Sequence, residues 1–166
     1  MSSFLNDAKN QNLILKEIEK ELTLNTVEFQ NIKLDFLTVI LYGNFEKDLN
    51  KIIETKIAAN NNFNKNFVTF LRNNDNKLHR GTTKDKFKTF VQQTFGLNIT
   101  EKINNSEWNI YTKFMDFRHT VAHSTNSYQA KKQQLLSTIH STDELINILE
   151  KILETLNNVK KVKRFL

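Results

Sequence analysis

The fold is decided by residues 29–58, which read FQNIKLDFLTVILYGNFEKDLNKIIETKIA. Two apolar stripes with helical spacing are interleaved in this segment. One stripe consists of Leu34, Leu37, Leu41, Phe45, Leu49 and Ile52, and the other of Ile32, Phe36, Val39 and Ile40. Because apolar residues then cover most of the circumference, the pattern predicts a long helix in the middle of a helical domain. Gly43 costs this helix about 1 kcal/mol relative to alanine, a loss most easily offset where another helix approaches closely.

The composition of the chain also favours an all-α fold. Its 166 residues include no proline and three glycines, so the usual markers of turns and edge strands are scarce. We expect one all-α domain spanning residues 1–166, a bundle of about five to six helices. The chain has no cysteine, nothing at its amino terminus resembles a secretion signal, and its apolar runs fall short of the roughly 20 residues of a membrane span. These features predict a cytoplasmic protein that does not cross a membrane.

Further helices are predicted on both sides of this central one. Amphipathic spacing predicts them at residues 4–22, 67–71, 83–95 and 107–123. The apolar stripe of the first is expected to contain Leu15, Ile18 and Leu22. Gly96 stands where a left-handed helix cap belongs, and Ser141-Thr142-Asp143-Glu144 is a capping box that opens a last helix. The apolar stripe of this last helix has spacings of four and three and is expected to contain Leu145, Leu149, Ile152, Leu156 and Val159.

The densest group of reactive side chains is Arg118-His119-Thr120-Val121-Ala122-His123, at the carboxyl end of the 107–123 helix. Cleaving RNA without a metal ion needs a base for the 2′-hydroxyl, an acid for the leaving 5′-oxygen and a cation for the charged phosphorane. Histidine and arginine suit these tasks. On an ideal helix Arg118 and His123 are separated by about 140°, so both reach one phosphate only near a fraying helix end or across an interface.

These six residues resemble the hallmark motif of the HEPN superfamily, an arginine often followed by a polar residue, with a histidine a few residues on. Residues 41–46, LYGNFE, resemble the second-helix segment of that family, where an acidic residue often sits. The resemblance is closest to the stand-alone HEPN proteins of prokaryotic defence and toxin systems. It implies a small helical bundle with metal-independent endoribonuclease activity and no cofactor. It also implies that Arg118 and His123 are the catalytic pair and that His119 is the variable polar member.

Two further expectations concern how this site is completed. Glu46 lies on the helix that is predicted to be mostly buried, and a buried carboxylate generally needs a partner. We expect Arg118 to be that partner, with Glu46 orienting the guanidinium; alternatively Glu46 faces solvent between the stripes. In-line displacement needs base and acid on opposite sides of phosphorus, and one His123 cannot serve as both. A two-fold homodimer would bring two copies of the motif into one cleft, which is also the arrangement that the resemblance implies.

The formal net charge of +6 is compatible with an RNA substrate, because lysine and arginine gain from counterion release when they bind phosphates. Two basic clusters are candidates for binding RNA. They contain Lys77 and Arg80 in the centre of the chain, and Lys160, Lys161, Lys163 and Arg164 near its carboxyl end. Such clusters are more often simply solvated. A toxin of this type would also have an antitoxin or sensor protein as a partner.

Other interpretations remain open. His119 and His123 stand four residues apart and could hold zinc, although the sequence offers no third ligand at a matching spacing, so no metal site is expected. Arg118 could be a structural arginine at a helix end, where the macrodipole stabilises cations. The alternative function is a non-catalytic HEPN-like adaptor that dimerises and binds a protein or nucleic-acid partner. DNA binding is disfavoured, because no helix-turn-helix pair is recognisable.

Overall fold

The long helix predicted from residues 29–58 is present, and in the computed structural model it extends from Val27 to Ala58. The structure describes residues 4–21, 27–58, 84–123 and 126–159. These ranges contain six α-helices and no strand, which confirms the prediction of an all-α bundle. The helices are α1 (Leu5–Glu21), α2 (Val27–Ala58), α3 (Lys84–Phe95), α4 (Asn105–His123), α5 (Tyr128–Leu136) and α6 (Thr142–Asn157), with a 3₁₀ helix at Ile99–Glu101. The predicted helix at 67–71 lies outside the described residues.

Helix α2 is the centre of the core, and α1, α4 and α6 pack against it. Its first apolar stripe is buried as predicted. The buried members are Leu34, Leu37, Leu41, Phe45, Leu49 and Ile52. The predicted stripe of the last helix is buried too. Its buried members are Leu145, Leu149, Ile152 and Leu156, while Val159, just beyond the helix, is partly buried. Burial of these two stripes against each other and against α4 accounts for most of the core, since the hydrophobic gain scales with the apolar area removed from water.

The second apolar stripe of α2 is only partly packed, although the helix lies at the centre of the core as predicted. Ile40 is partly buried against the core, whereas Ile32, Phe36 and Val39 are 67%, 47% and 61% exposed. Gly43 is also not a point of close helix approach: no described atom lies within 4 Å of the position that a Cβ would take. The neighbouring helices pack on the other sides of α2 and leave this one open. The sequence pattern shows which residues are apolar, but not whether this chain covers them.

The register of α1 also differs from the prediction. Ile18, expected in the core, is 37% exposed, Leu15 is partly buried, and Leu22 lies outside the described residues. The buried face instead contains Leu5, Ala8 and Asn12. At the start of the helix, the buried carboxylate of Asp48 on α2 accepts the backbone N–H groups of Phe4 at 3.0 Å and Leu5 at 2.9 Å. These bonds hold the first turn of α1 against α2, where Leu5 and Ala8 are buried.

Two predicted helix ends are confirmed, and one helix has no counterpart among the predictions. Gly96 has a φ of 65°, the left-handed conformation expected after α3. The side chain of Ser141 accepts the N–H of Glu144 at 3.2 Å and so caps α6. The unpredicted helix is α5. One of its buried residues is a lysine, Lys132, so its sequence lacks the apolar periodicity that indicates a helix.

Candidate active site

The reactive segment forms the last turns of α4, and His123 is the final residue of that helix. Helix α4 runs antiparallel to α2, because the Tyr111 ring contacts Phe45 with centroids 6.2 Å apart while Arg118, further along α4, contacts the earlier Tyr42. Thr120, in the same turn, is 3% exposed and is part of the buried face of α4. The helix end that carries the motif is therefore packed on α2 rather than projecting from the bundle.

Arg118 is held by an aromatic side chain of α2. Its guanidinium carbon lies 3.7 Å from the centroid of the Tyr42 ring, well within the distance of a cation–π contact. Tyr42 is 6% exposed, and its hydroxyl donates a hydrogen bond to Oε1 of Glu46 at 3.2 Å. Glu46, which is half-buried, is thus connected to Arg118 through the Tyr42 ring. The described contacts assemble Arg118, Tyr42 and Glu46 into one group.

His119 and His123 form a second group on the solvent side of the same helix end. Both are exposed, and their ring centroids are 4.6 Å apart with the ring planes inclined by 54°. The spacing of four residues places both imidazoles on one helical face. Within the described ranges, no three histidine, cysteine, aspartate or glutamate side chains are grouped so that they could hold a metal ion.

The two groups are adjacent, but they face different directions. Helix α4 is continuous through His123, so the separation of about 140° between Arg118 and His123 on an ideal helix applies here. Arg118 lies against α2, whereas His123 is exposed to solvent. A single chain therefore offers a cation fixed by stacking and two accessible imidazoles, rather than an arginine and a histidine that share one face.

A buried polar network that the sequence reasoning missed borders this site. Tyr128, the first residue of α5, packs on the Phe117 ring with centroids 5.6 Å apart, and its hydroxyl donates to the carboxylate of Asp35 on α2. Lys132, 3% exposed, donates to Asp35 at 2.7 Å and to the Tyr128 hydroxyl at 2.9 Å. Burial raises the pKa of the Tyr128 hydroxyl, and its bond to Asp35 acts in the same direction.

This network links α5 to α2 through Asp35, and the Tyr128 ring links α5 to the turn of α4 that carries Arg118. A signal for it exists in the sequence, because Asp35 is a charged residue between Leu34 and Phe36 in the most apolar helix of the chain. Such a carboxylate needs a cationic or hydrogen-bonding partner. The sequence does not show, however, that the partner comes from a helix almost a hundred residues later.

The remaining predicted site residues lie outside the described ranges. They are Lys77, Arg80, Lys160, Lys161, Lys163 and Arg164. Among the helices that the structure describes, none combines the length and the apolar character of a membrane span. Comparisons with protein-family models, characterised proteins and solved structures find no match to this chain. The HEPN resemblance therefore rests on the motif and the helices of this chain alone.

Proposed function

We propose that this chain is a metal-independent endoribonuclease that acts in the cytoplasm as a toxin or antiviral effector of the abortive-infection type. One observation carries the proposal: two accessible imidazoles, those of His119 and His123, lie at the end of a helix beside an arginine that Tyr42 holds in place. Imidazoles exchange protons near neutral pH and guanidinium groups bind phosphate, and these are the requirements of RNA cleavage without a metal.

The reaction uses His123 as the general base. It takes the proton of the RNA 2′-hydroxyl while the 2′-oxygen forms a bond to phosphorus and the bond from phosphorus to the 5′-oxygen breaks. A protonated imidazole gives a proton to that leaving oxygen. Arg118 neutralises the charge that develops on the phosphorane. The products are one end with a 2′,3′-cyclic phosphate and one with a 5′-hydroxyl.

Tyr42 and Glu46 serve this reaction by positioning Arg118. The N–H donors of a guanidinium lie in the plane of the group. When the guanidinium lies on the face of an aromatic ring, these donors point outward past the ring and can still bind other acceptors. The same group can thus be fixed by Tyr42 and still donate to phosphate oxygens. The hydrogen bond from the Tyr42 hydroxyl to Glu46 adds electron density to the ring, which strengthens its attraction for the cation.

The acid comes from a second copy of the chain. The rings of His119 and His123 contact each other, so no phosphate fits between them and both approach the RNA from one side. Base and acid must stand on opposite sides of phosphorus. A two-fold homodimer supplies the second imidazole, with His119 as a supporting residue in each copy.

The test is RNA cleavage in the presence of EDTA, with analysis of the product ends. We expect His123→Ala to lower the rate by about 100-fold or more, the usual effect of removing a general base. The matched control is His140→Ala, since His140 is also exposed but precedes α6, outside the motif. Cleavage that persists in His123→Ala, or that EDTA abolishes, would contradict the proposal.

A non-catalytic adaptor is the second candidate, favoured by the exposed apolar side chains of Ile32, Phe36 and Val39. Exposed contiguous apolar surface of this kind marks interaction sites. In that case Arg118→Ala would disrupt assembly with a partner, and the purified wild-type chain would leave RNA intact under every ionic condition tried.

A further inference from the structure

The solvent side of α4 carries a row of three polar side chains, those of Asp116, His119 and His123. All three are exposed, and on an ideal helix they fall within about 60° of arc. Asp116 precedes His119 by three residues, which is a spacing of direct neighbours on a helix surface. The face that carries the two imidazoles of the candidate site therefore extends back along α4 to Asp116.

Helix α5 packs along α4 and supplies an ammonium group to this face. Nζ of Lys131 on α5 lies 3.6 Å from Oδ2 of Asp116. About one turn earlier on α4, Nζ of Lys113 donates to the hydroxyl of Thr138, just beyond α5, at 2.6 Å. The two helices thus bring five titratable side chains into one row, named here the α4–α5 edge. It consists of His123, His119, Asp116, Lys131 and Lys113.

The charge of the α4–α5 edge is positive. Helices α4 and α5 contain two acidic residues, Glu107 and Asp116, and Glu107 lies in the first turn of α4, where Lys151 is bonded to it. The ammonium of Lys113 donates to a neutral hydroxyl, which does not compensate its charge. Asp116 therefore balances one ammonium group of two, and protonation of either imidazole adds further positive charge.

A phosphate can replace Asp116 at the ammonium of Lys131. Their separation of 3.6 Å exceeds the roughly 2.7–2.9 Å of a charge-assisted hydrogen bond. The side chains of Lys131 and Asp116 are 33% and 56% exposed, and ion pairs of such exposure contribute little to stability. The fold thus places Lys131 beside the imidazoles without committing its charge to a strong partner.

We infer that the α4–α5 edge binds the phosphates of a single RNA strand on one side of the cleaved bond, with Lys131 as the main contact and Asp116 as a carboxylate that competes with the RNA. The inference rests on the proposed function, which places the cleaved phosphate at the imidazoles. Lys113 lies about 15 Å from His123 along α4, a length that the backbone of a few nucleotides covers. Ammonium groups that follow the backbone in this way hold single strands without reading their sequence.

Replacing the two members of the ion pair separately tests the inference. The probe is single-stranded RNA with methylated 2′-hydroxyls, which attack by the 2′-oxygen cannot cleave. Lys131→Ala should weaken binding by about fivefold at ~0.1 M salt and reduce the slope of log K against log salt concentration by about 0.7, the effect of one phosphate contact. Asp116→Asn should strengthen binding, because it releases the ammonium and removes a negative charge from the path of the strand.

The matched controls are Lys9→Ala and Glu150→Gln, which break an ion pair of comparable exposure between α1 and α6. Neither should change the binding of the probe. Lys131→Arg keeps the positive charge and should bind as the wild type does. Circular dichroism establishes that every variant is folded.

Two results would overturn the inference by showing that the ion pair is only structural. One is a Lys131→Ala variant that binds the probe as tightly as the wild type. The other is an Asp116→Asn variant that loses affinity as Lys131→Ala does. A wild-type chain that does not bind the probe at low salt would overturn it as well.

Cleavage of unmethylated RNA separates this inference from the proposed nuclease. In an active enzyme Lys131→Ala should raise KM more than it lowers kcat, because a contact away from the cleaved phosphate binds the substrate and the transition state alike. A chain that binds RNA through Lys131 but does not cut it retains the α4–α5 edge and removes the nuclease. A chain that cuts RNA with a KM that Lys131→Ala leaves unchanged retains the nuclease and removes the edge.

Discussion

The guanidinium carbon of Arg118 lies 3.7 Å from the centroid of the Tyr42 ring, so the cation of the candidate site is held by a residue of the central helix. Tyr42 is 6% exposed and belongs to the core, whereas the two histidines of the motif face solvent. Core packing of α2 thus determines where the arginine is, while the proposed chemistry belongs to the solvent-exposed side of α4.

Replacing Tyr42 tests this link. Tyr42→Leu removes the ring, and because a cation–π contact contributes about 0.5–2 kcal/mol, we expect RNA cleavage to slow by about 2- to 30-fold. Tyr42→Phe keeps the ring and removes only the hydrogen bond to Glu46, so its rate should fall less. Urea unfolding of each variant shows that the protein is folded under the assay conditions. A Tyr42→Leu variant that cuts RNA as fast as the wild type would remove Tyr42 from the site.

The network of Asp35, Tyr128 and Lys132 is expected to contribute to stability. Asp35→Ala removes the carboxylate to which the ammonium of Lys132, 3% exposed, donates at 2.7 Å, and should lower the free energy of unfolding by about 2–4 kcal/mol. The comparison is Lys151→Ala, which breaks a more exposed ion pair with Glu107 and should cost less than about 1 kcal/mol.

A double variant identifies the cause of this loss. Asp35→Leu combined with Lys132→Met removes both charges, and it should be more stable than Asp35→Ala because the buried ammonium is removed together with the carboxylate. Urea denaturation measures all three variants. If Asp35→Ala and Lys151→Ala lower the free energy of unfolding by the same amount, the burial of Lys132 has no energetic consequence.

Local spacing predicted much of the fold, because the buried stripes of α2 and α6 and the cap at Gly96 depend on residues close in sequence. The contacts that build the site join distant residues. The stacking of Arg118 on Tyr42 follows from how α4 crosses α2, and Lys132 bonds to a carboxylate 97 residues earlier. Periodicity carries no information on either contact.

Gly43 and Gly96 should respond to alanine in opposite ways. A Cβ at Gly43 meets no described atom, so Gly43→Ala should raise the free energy of unfolding by about 0.5–1 kcal/mol. Gly96 has a φ of 65°, which disfavours a Cβ, so Gly96→Ala should lower it by about 1 kcal/mol. Urea unfolding of each variant measures both. Destabilisation by Gly43→Ala would reveal a neighbour that the described residues do not show.

Glu107 should make stability depend on pH. Burial alone would raise the pKa of its carboxyl, but hydrogen bonds from Lys151 and from the backbone N–H of Asn104 outweigh burial and lower it below the ordinary 4.5. A lowered pKa in the folded state stabilises the protein above the unfolded pKa, and this contribution is lost as the pH falls through the folded value. Glu107→Gln should therefore be less stable than the wild type at neutral pH. The difference in unfolding free energy between the two proteins should become smaller as the pH falls.

Urea unfolding across the acidic range compares this variant with the wild type. Glu154→Gln, which changes an exposed carboxylate of α6, is the control and should follow the wild-type curve. A constant difference between Glu107→Gln and the wild type at every pH would show that ionisation of Glu107 is not coupled to folding.

Mixing subunits tests whether the active site is shared. If each dimer needs two His123 residues, the hybrid of a wild-type and a His123→Ala chain is inactive. An equal mixture that exchanges subunits freely then retains about a quarter of the activity of the same total amount of wild-type protein, because about a quarter of the dimers are wild-type pairs. Independent active sites would instead retain about half. Mixing with His140→Ala chains controls for effects of exchange itself and should leave the activity unchanged, so a value near half in the His123→Ala mixture would show that one His123 is sufficient.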